Sequence, residues 1–269
     1  MDWYSVVALC YFLSSIFYGS HFWPKGKNLS KFGFYFIAAG TTIQTLSLVY
    51  AYAKGEPLAQ SFVTTLYLFA WFISLVYIAS QFKFKASLLG AFAAPLAFIL
   101  TLPNVIIPHG IIEQNPTLSN PWILIHIALI LLGEALFTVA FISGALYLFQ
   151  ENKIKSKHVG SFLEKFPSLT TLDRMNHLCL IIGFPLVTVG IALGFLLAKE
   201  ILGSNWVWGH KETWSMVTWI LYAVLIHGRL SSGWKGRKAA WGAVLGFAII
   251  LFTLFVIGYL SPGQDGFLG

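Results

Sequence analysis

The sequence predicts an all-α membrane protein, a bundle of about eight transmembrane helices with both termini outside. Hydrophobic residues make up 57% of the 269 residues and charged residues only 10%, whereas a soluble domain carries roughly 25% charged residues. The mean hydropathy is +0.75. Eight apolar stretches are long enough to cross a hydrocarbon core of about 30 Å, which takes about 20 residues. Residues 1–269 are therefore predicted to form a single transmembrane domain.

The eight predicted spans follow one another through short connections. The first has no basic segment before it and no small-residue cleavage site, so we predict a retained helix and not a signal peptide. The fifth and sixth are long enough to tilt or to project beyond the bilayer. The predicted spans are residues 3–19, 33–53, 61–81, 86–103, 121–149, 173–199, 213–229 and 238–260.

The Lys and Arg residues fall mostly in alternate loops. Fourteen of the 17 lie in the loops after the first, third, fifth and seventh spans, and only Lys54, Lys199 and Lys211 lie on the other side. Because loops rich in Lys and Arg stay in the cytoplasm, both termini are predicted to face outward. The net charge of +7 then reflects the excess of Lys and Arg in the predicted cytoplasmic loops. It does not indicate a nucleic-acid partner.

Four tryptophans lie close together around the connection of the sixth and seventh spans. Trp206, Trp208, Trp214 and Trp219 occur within fourteen residues, and the first two lie in a predicted outer loop at 201–213. Tryptophan combines a large apolar ring with an N–H donor, which suits the membrane surface. A cluster this dense is more typical of a flat aromatic platform for a large planar ligand, such as a porphyrin.

Histidines at membrane depth are the candidate metal ligands, because ionisable groups are costly there and imidazole suits iron. His126 lies near the outer face and His227 near the inner face, about 20 Å below the start of its span. They cannot share one iron, so either there are two sites or one histidine is structural. At the inner face His177 and His227 form a candidate pair. At the outer face His126 pairs with either His210 or His109.

The tryptophan cluster also matches a known signature, Trp-x-Trp-Asp-Pro-Lys-Glu-Thr-Trp. By these residues the chain resembles the CcsA/CcmC/CcmF haem-handling superfamily of cytochrome c assembly, and within it the shorter HemX/YpjD-like members. The likeness covers roughly residues 120–263 and includes Gly183 to Ile191 and His227-Gly228-Arg229. The matching signature residues are Trp206, Trp208, Lys211, Glu212, Thr213 and Trp214.

The resemblance implies a haem held non-covalently, with His126 as the outer axial ligand and His227 as a transmembrane histidine. No CxxC or CxxCH motif for covalent attachment occurs. The chain departs from the pattern in three places: Gly209-His210 replaces the Asp-Pro, His177 replaces a tyrosine, and Asp265 lies where a second outer histidine is expected. His210 is a substitute ligand by hypothesis. The implied haem platform consists of Trp206, Trp208, Trp214, Trp219, Lys211 and Glu212.

Three functions follow from these patterns. The first is a haem-binding protein of c-type cytochrome biogenesis in the bacterial cytoplasmic (inner) membrane. It would present haem outside to apocytochrome c together with a second membrane subunit, as a component of a cytochrome c synthetase. The second is a HemX-like regulator of haem biosynthesis without synthetase chemistry, which the missing histidine favours. The third is a small-molecule or proton-coupled transporter with a polar path through Glu134 and His177. The absence of repeated halves argues against it.

Overall fold

The computed structural model describes residues 2–20, 29–59, 61–107, 120–157, 166–202 and 210–253, with the side chains of 199–202 and 210–212 left out. Of these residues 88% are helical and none forms a strand, which confirms the all-α prediction. A 3₁₀ turn at Ser87–Leu89 precedes the fourth helix. The helices are α1 (Trp3–Gly19), α2 (Ser30–Ala53), α3 (Phe62–Phe84), α4 (Gly90–Thr101), α5 (Pro103–Ile106), α6 (Pro121–Lys155), α7 (Leu169–Leu202), α8 (His210–Leu230) and α9 (Arg237–Phe252).

Five segments of the described chain are long and apolar enough to cross a membrane, which confirms a multi-pass membrane protein. They are α2, α3, the run Ser87–Ile106 through α4 and α5, α6, and α7 up to Ala198. Helix α1 is a shorter apolar helix. Helices α8 and α9 coincide with the seventh and eighth predicted spans. The count of eight spans and the outward orientation of the termini stay predictions.

The outer loop predicted at 201–213 overlaps the ends of two helices, and its place outside the membrane stays a prediction. Helix α7 continues to Leu202, and α8 already begins at His210. The apolar pair Ile201-Leu202 extends the pattern of the sixth span. At the other end, Glu212 already lies in the first turn of α8.

The helices form two groups. Helices α1 to α5 pack mainly on one another, and so do α6 to α9, while α3 against α6 is the principal contact between the groups. Within the second group the most extensive contact is between the two long helices α6 and α7. Helix α6 has 35 residues, about 52 Å at about 1.5 Å per residue. The α6–α7 pair therefore exceeds the thickness of the hydrocarbon core.

Glycines allow α6 and α7 to approach closely. A Cβ added at Gly183 would lie 2.8 Å from Phe137 Cε1, and one at Gly190 would lie 2.7 Å from Ile130 Cδ1. One added at Gly133 would overlap Val187. In lipid the hydrophobic effect does not hold helices together. Close van der Waals packing at small residues stabilises their contact instead. We call Gly133, Gly183, Gly190 and Gly194 the glycine seam.

A buried polar network joins α1, α2 and α3. The Tyr11 hydroxyl donates to Gln44 Oε1 at 2.6 Å and lies 3.1 Å from Ser74 Oγ. Gln44 Nε2 in turn donates to the Tyr67 carbonyl at 2.7 Å. Tyr11, Gln44 and Ser74 are all 0% exposed. Because no water reaches these groups, each depends on the others to satisfy its hydrogen bonds.

The variant Tyr11→Phe is expected to lower the free energy of unfolding by about 1–2 kcal/mol, because it leaves Gln44 Oε1 buried without its donor. Equilibrium unfolding in mixed micelles measures the change. Tyr35→Phe is the control, since Tyr35 is 64% exposed and its hydroxyl is expected to contribute less than about 0.5 kcal/mol. Equal effects of the two variants would contradict the role of the network.

Candidate functional site

The start of α6 places His126 in the second turn of the helix. The Asn120 side chain accepts a hydrogen bond from Trp122 N at 2.9 Å and caps the helix, and Pro121 occupies the first helical position. His126 Nδ1 lies 2.7 Å from the Gly190 carbonyl oxygen on α7. A carbonyl only accepts, so Nδ1 carries the proton and Nε2 is the acceptor nitrogen. This is the arrangement in which a histidine ligates a metal.

Gly194 gives the imidazole its room. A Cβ added at Gly194 would lie 2.5 Å from His126 Cε1 and 2.9 Å from Nδ1. The ring is therefore packed against the bare backbone of α7 and hydrogen-bonded one turn away at Gly190. Two glycines of the seam thus determine the orientation of the predicted outer ligand.

A second feature lies between α7 and α8. A groove with a cavity volume of about 570 Å³ opens there, within the range of about 300–1,000 Å³ typical of small-molecule and cofactor sites. Its lining is apolar apart from the Thr188 hydroxyl and the indole N–H of Trp219. We call this feature the α7–α8 groove; it is lined by Thr188, Ile191, Ala192, Phe195, Leu196, Met216 and Trp219.

The predicted platform residue Trp219 forms one wall of the α7–α8 groove. Its Nε1 donates to Thr188 Oγ1 at 2.9 Å. Its ring stacks on Phe184 with centroids 5.6 Å apart and planes 25° apart. Trp214, one turn earlier on α8, packs on Phe252 of α9 with centroids 4.7 Å apart. The two tryptophans therefore have different neighbours, and only Trp219 lines the groove.

His126 and the α7–α8 groove lie on different faces of α7. His126 contacts Gly190 and Gly194, whereas Ile191 and Phe195 line the groove. A shift of one residue turns a helix by about 100°. The structure therefore does not bring the predicted outer ligand and Trp219 into one cavity. Trp206, Trp208, His109 and Asp265 lie outside the described residues, and His210, Lys211 and Glu212 are described in their backbone only.

The two inner histidines lie on neighbouring helices. His227 is exposed on α8, with Nδ1 3.4 Å from Ser231 Oγ, and His177 is half-buried on α7. Across the described ranges no group of three or more His, Cys, Asp or Glu side chains could hold a metal ion. The pairing of His177 with His227 stays a prediction. Glu134 is half-buried on α6, next to Gly133 of the seam.

Beside these histidines, Asp173 joins the ends of three helices on the predicted inner side. Its Oδ1 lies 2.5 Å from an Arg229 guanidinium nitrogen and 3.0 Å from the backbone N of Gly236. Gly236 has φ +60°, a conformation that favours glycine. The Asp173 carboxylate of α7 thus holds both the end of α8 and the turn into α9.

Comparison with known proteins identifies the family. Residues 59–264, from just before α3 onward, match the family described as cytochrome C assembly protein. The chain belongs to this family. It is therefore a membrane protein of c-type cytochrome biogenesis, as the tryptophan signature predicted. The match takes in His126, the α7–α8 groove, Asp173 and His227.

Family relatives resemble the chain over most of its length. The cytochrome c biogenesis protein CcsA of the alga Pyropia yezoensis is 28% identical over 256 residues, covering 80% of each chain. The protein of the same name from Prochlorococcus marinus strain MIT 9301 is 27% identical over 247 residues, covering 83% of this chain and 80% of its own. The HemX/YpjD-like subtype stays a prediction.

The sequence analysis did not predict the residues that hold His126 and Trp219 in place, namely Gly190, Gly194 and Thr188. Gly190 and Gly194 form a small-x-x-x-small pattern that is typical of close helix contacts, and this signal was present in the sequence. Thr188 gave no comparable signal. A threonine in an apolar span usually bonds a carbonyl of its own helix, and Thr188 Oγ1 does so to Phe184 O at 2.7 Å.

Proposed function

We propose that the protein binds haem non-covalently at its predicted outer end and presents it for c-type cytochrome maturation. The observation that carries the proposal is the hydrogen bond from His126 Nδ1 to the Gly190 carbonyl. With the ring neutral, this bond puts the proton on Nδ1 and makes Nε2 the nitrogen that would ligate iron. The α7–α8 groove lies on another face of α7, and its apolar lining favours an apolar ligand there over the polar solute of a transporter.

Each proposed residue has a distinct task. His126 holds the iron, and Gly194 and Gly190 orient its ring. Trp206, Trp208 and Trp214, with Lys211 and Glu212, would provide the surface on which the macrocycle lies. Trp219, also a predicted platform residue, lines the α7–α8 groove on another face of α7 and would contact a planar ligand there. A bound haem supplies vinyl groups that can form thioether bonds with thiols of an apocytochrome. His227, His177 and His210 are further candidate ligands.

We further propose the setting in which this occurs. The protein lies in a bacterial cytoplasmic membrane with the tryptophan-rich loop outside, as the distribution of Lys and Arg supports. It acts with a second membrane subunit and with apocytochrome c. The chain has two cysteines, Cys10 in α1 and Cys179 in α7, so the reacting thiols are expected to come from the apocytochrome.

Absorption spectra of the detergent-purified protein test the proposal. The wild type is expected to show a Soret band and, after dithionite, the α and β bands of a six-coordinate haem. His126→Ala is expected to lose or shift these bands because it removes the proposed outer ligand. His227→Ala and His210→Ala, measured in parallel, assign the remaining ligands.

Three outcomes would contradict the proposal or part of it. A wild-type protein that carries no haem and takes up none when haemin is supplied would refute the proposal. A His126→Ala protein with wild-type spectra would remove His126 from the site and leave haem binding intact. Haem binding without cytochrome maturation in the presence of the partner subunit would favour the regulator.

A further inference from the structure

We infer that Thr188 is a positioning residue that holds the Trp219 indole as the wall of the α7–α8 groove for a planar apolar ligand. The inference rests on the proposed function in one respect, since haem is the ligand with which it is tested. Trp219 belongs to the predicted platform, but Thr188 does not. The hydroxyl acts through the indole and is not expected to touch the ligand's iron.

The direction of the hydrogen bonds gives Thr188 this task. Its Oγ1 donates its only proton to the Phe184 carbonyl at 2.7 Å, within its own helix. The lone pairs of the same oxygen therefore point away from α7. Trp219 Nε1, a donor without acceptor capacity, lies 2.9 Å away on α8. The Thr188 hydroxyl oxygen is therefore oriented by α7 alone to accept a hydrogen bond from α8.

The indole is held at two places. Phe184, one turn before Thr188, stacks on its ring with planes 25° apart, and Thr188 fixes its N–H. Both contacts come from α7, whereas the indole itself belongs to α8. The pair of contacts therefore sets how α8 lies against α7 at the depth of the groove. It also leaves the rest of the half-buried ring to line the groove beside Met216.

The hydrogen bond also removes a polar group from the groove. An indole N–H without an acceptor would have to face the apolar lining or the lipid, which is costly. With the N–H satisfied by Thr188, the ring offers its apolar surface to a ligand. A planar aromatic or porphyrin-like molecule matches such a wall by offset stacking.

The experiment compares Thr188→Val, which keeps the shape but lacks the hydroxyl, with Thr188→Ser, which keeps the hydroxyl. Ultraviolet resonance Raman spectra report the hydrogen bond of the indole N–H in the absence of haem. Haemin titration followed at the Soret band reports affinity. Thr188→Val is expected to lose the signal of a bonded indole N–H and to bind haemin about three- to tenfold more weakly. Thr188→Ser is expected to retain both.

Thr42→Val is the matched control. The Thr42 hydroxyl also donates to a carbonyl of its own helix, Ala38 O at 2.9 Å, and Thr42 is exposed on α2. We expect this variant to leave both signals unchanged. Wild-type haemin affinity in Thr188→Val would overturn the inference while haem binding stood. A wild type that binds no haemin would overturn the proposed function and the inference with it.

Discussion

Replacing Arg229 with methionine is expected to lower the free energy of unfolding by about 3 kcal/mol, because it leaves the Asp173 carboxylate without its counter-charge. The Arg229 side chain is only 3% exposed, and it also bonds the Asp173 backbone carbonyl at 3.3 Å. Asp173 is 25% exposed, so water compensates part of the loss. The expected value therefore lies at the lower end of the range of about 3–5 kcal/mol for buried pairs.

A surface pair on the same side of the protein serves as the control. Arg237 Nη1 lies 3.4 Å from Glu151 Oε2, and the Arg237 side chain is 49% exposed. Arg237→Met is expected to cost at most about 1 kcal/mol. Equilibrium unfolding in mixed micelles measures both variants. Similar losses would mean that burial does not strengthen the Asp173–Arg229 pair.

A double variant separates two effects: the loss of the attraction between Asp173 and Arg229, and the cost of leaving the Asp173 carboxylate partly buried without a counter-charge. Adding Asp173→Asn to Arg229→Met removes the buried charge and retains an oxygen that accepts from Gly236 N. The double variant is therefore expected to recover at least about 1 kcal/mol relative to Arg229→Met alone. A further loss of stability in the double variant would show that the carboxylate does not depend on Arg229.

The variant Gly194→Ala is expected to reduce haemin affinity by about 10–100-fold, the usual effect of disturbing a group that orients a metal ligand. Its Cβ would lie 2.5 Å from His126 Cε1, so the imidazole must leave its position against α7. The bond of 2.7 Å from Nδ1 to the Gly190 carbonyl is then lost. Haemin titration of the purified protein at the Soret band measures the effect.

Gly183→Ala is the control for disturbed helix packing. It lies on the same seam, and its Cβ would meet Phe137 Cε1 at 2.8 Å and the Gly133 carbonyl at 3.1 Å. We expect it to lower the thermal midpoint at least as much as Gly194→Ala, because one of its contacts is backbone. Its haemin affinity should stay within about threefold of wild type. A large loss of affinity in both variants would mean that the seam acts on haem only through stability.

Hydropathy predicted the helices of this protein well and their ends less well. Within the described residues each predicted span overlaps an observed helix or helical run, because a stretch of apolar residues in lipid must satisfy its backbone hydrogen bonds internally. Helix α6 nevertheless continues six residues beyond the predicted end at 149. Five of those six residues are polar, and they remain helical with the help of the Lys155–Glu151 pair, four residues apart at 2.9 Å. Hydropathy does not detect a helix that continues outside the bilayer.

The candidate site was predictable in its residue types and not in its contacts. The depth of His126 and the tryptophan signature predicted which part of the chain carries the site, and that assignment stays a prediction. The bond from His126 to Gly190 depends on the register of α6 against α7, and the bond from Trp219 to Thr188 depends on the rotation of α8. Both bonds arise from tertiary packing. His126 and Gly190 are 64 positions apart in the sequence, and Thr188 and Trp219 are 31 positions apart. No local pattern contains that information.

The glycine seam also determines which mutations this protein can accept over generations. Every substitution of a glycine by another amino acid introduces a larger residue, so a seam position can change only if the facing helix makes room. Val187 can shorten to alanine opposite Gly133, Phe137 to leucine opposite Gly183, and Ile130 to valine opposite Gly190. Opposite Gly194 stands His126, which cannot become smaller and remain an imidazole. Of the four glycines, Gly194 is therefore the one that faces a side chain whose identity the proposed function fixes.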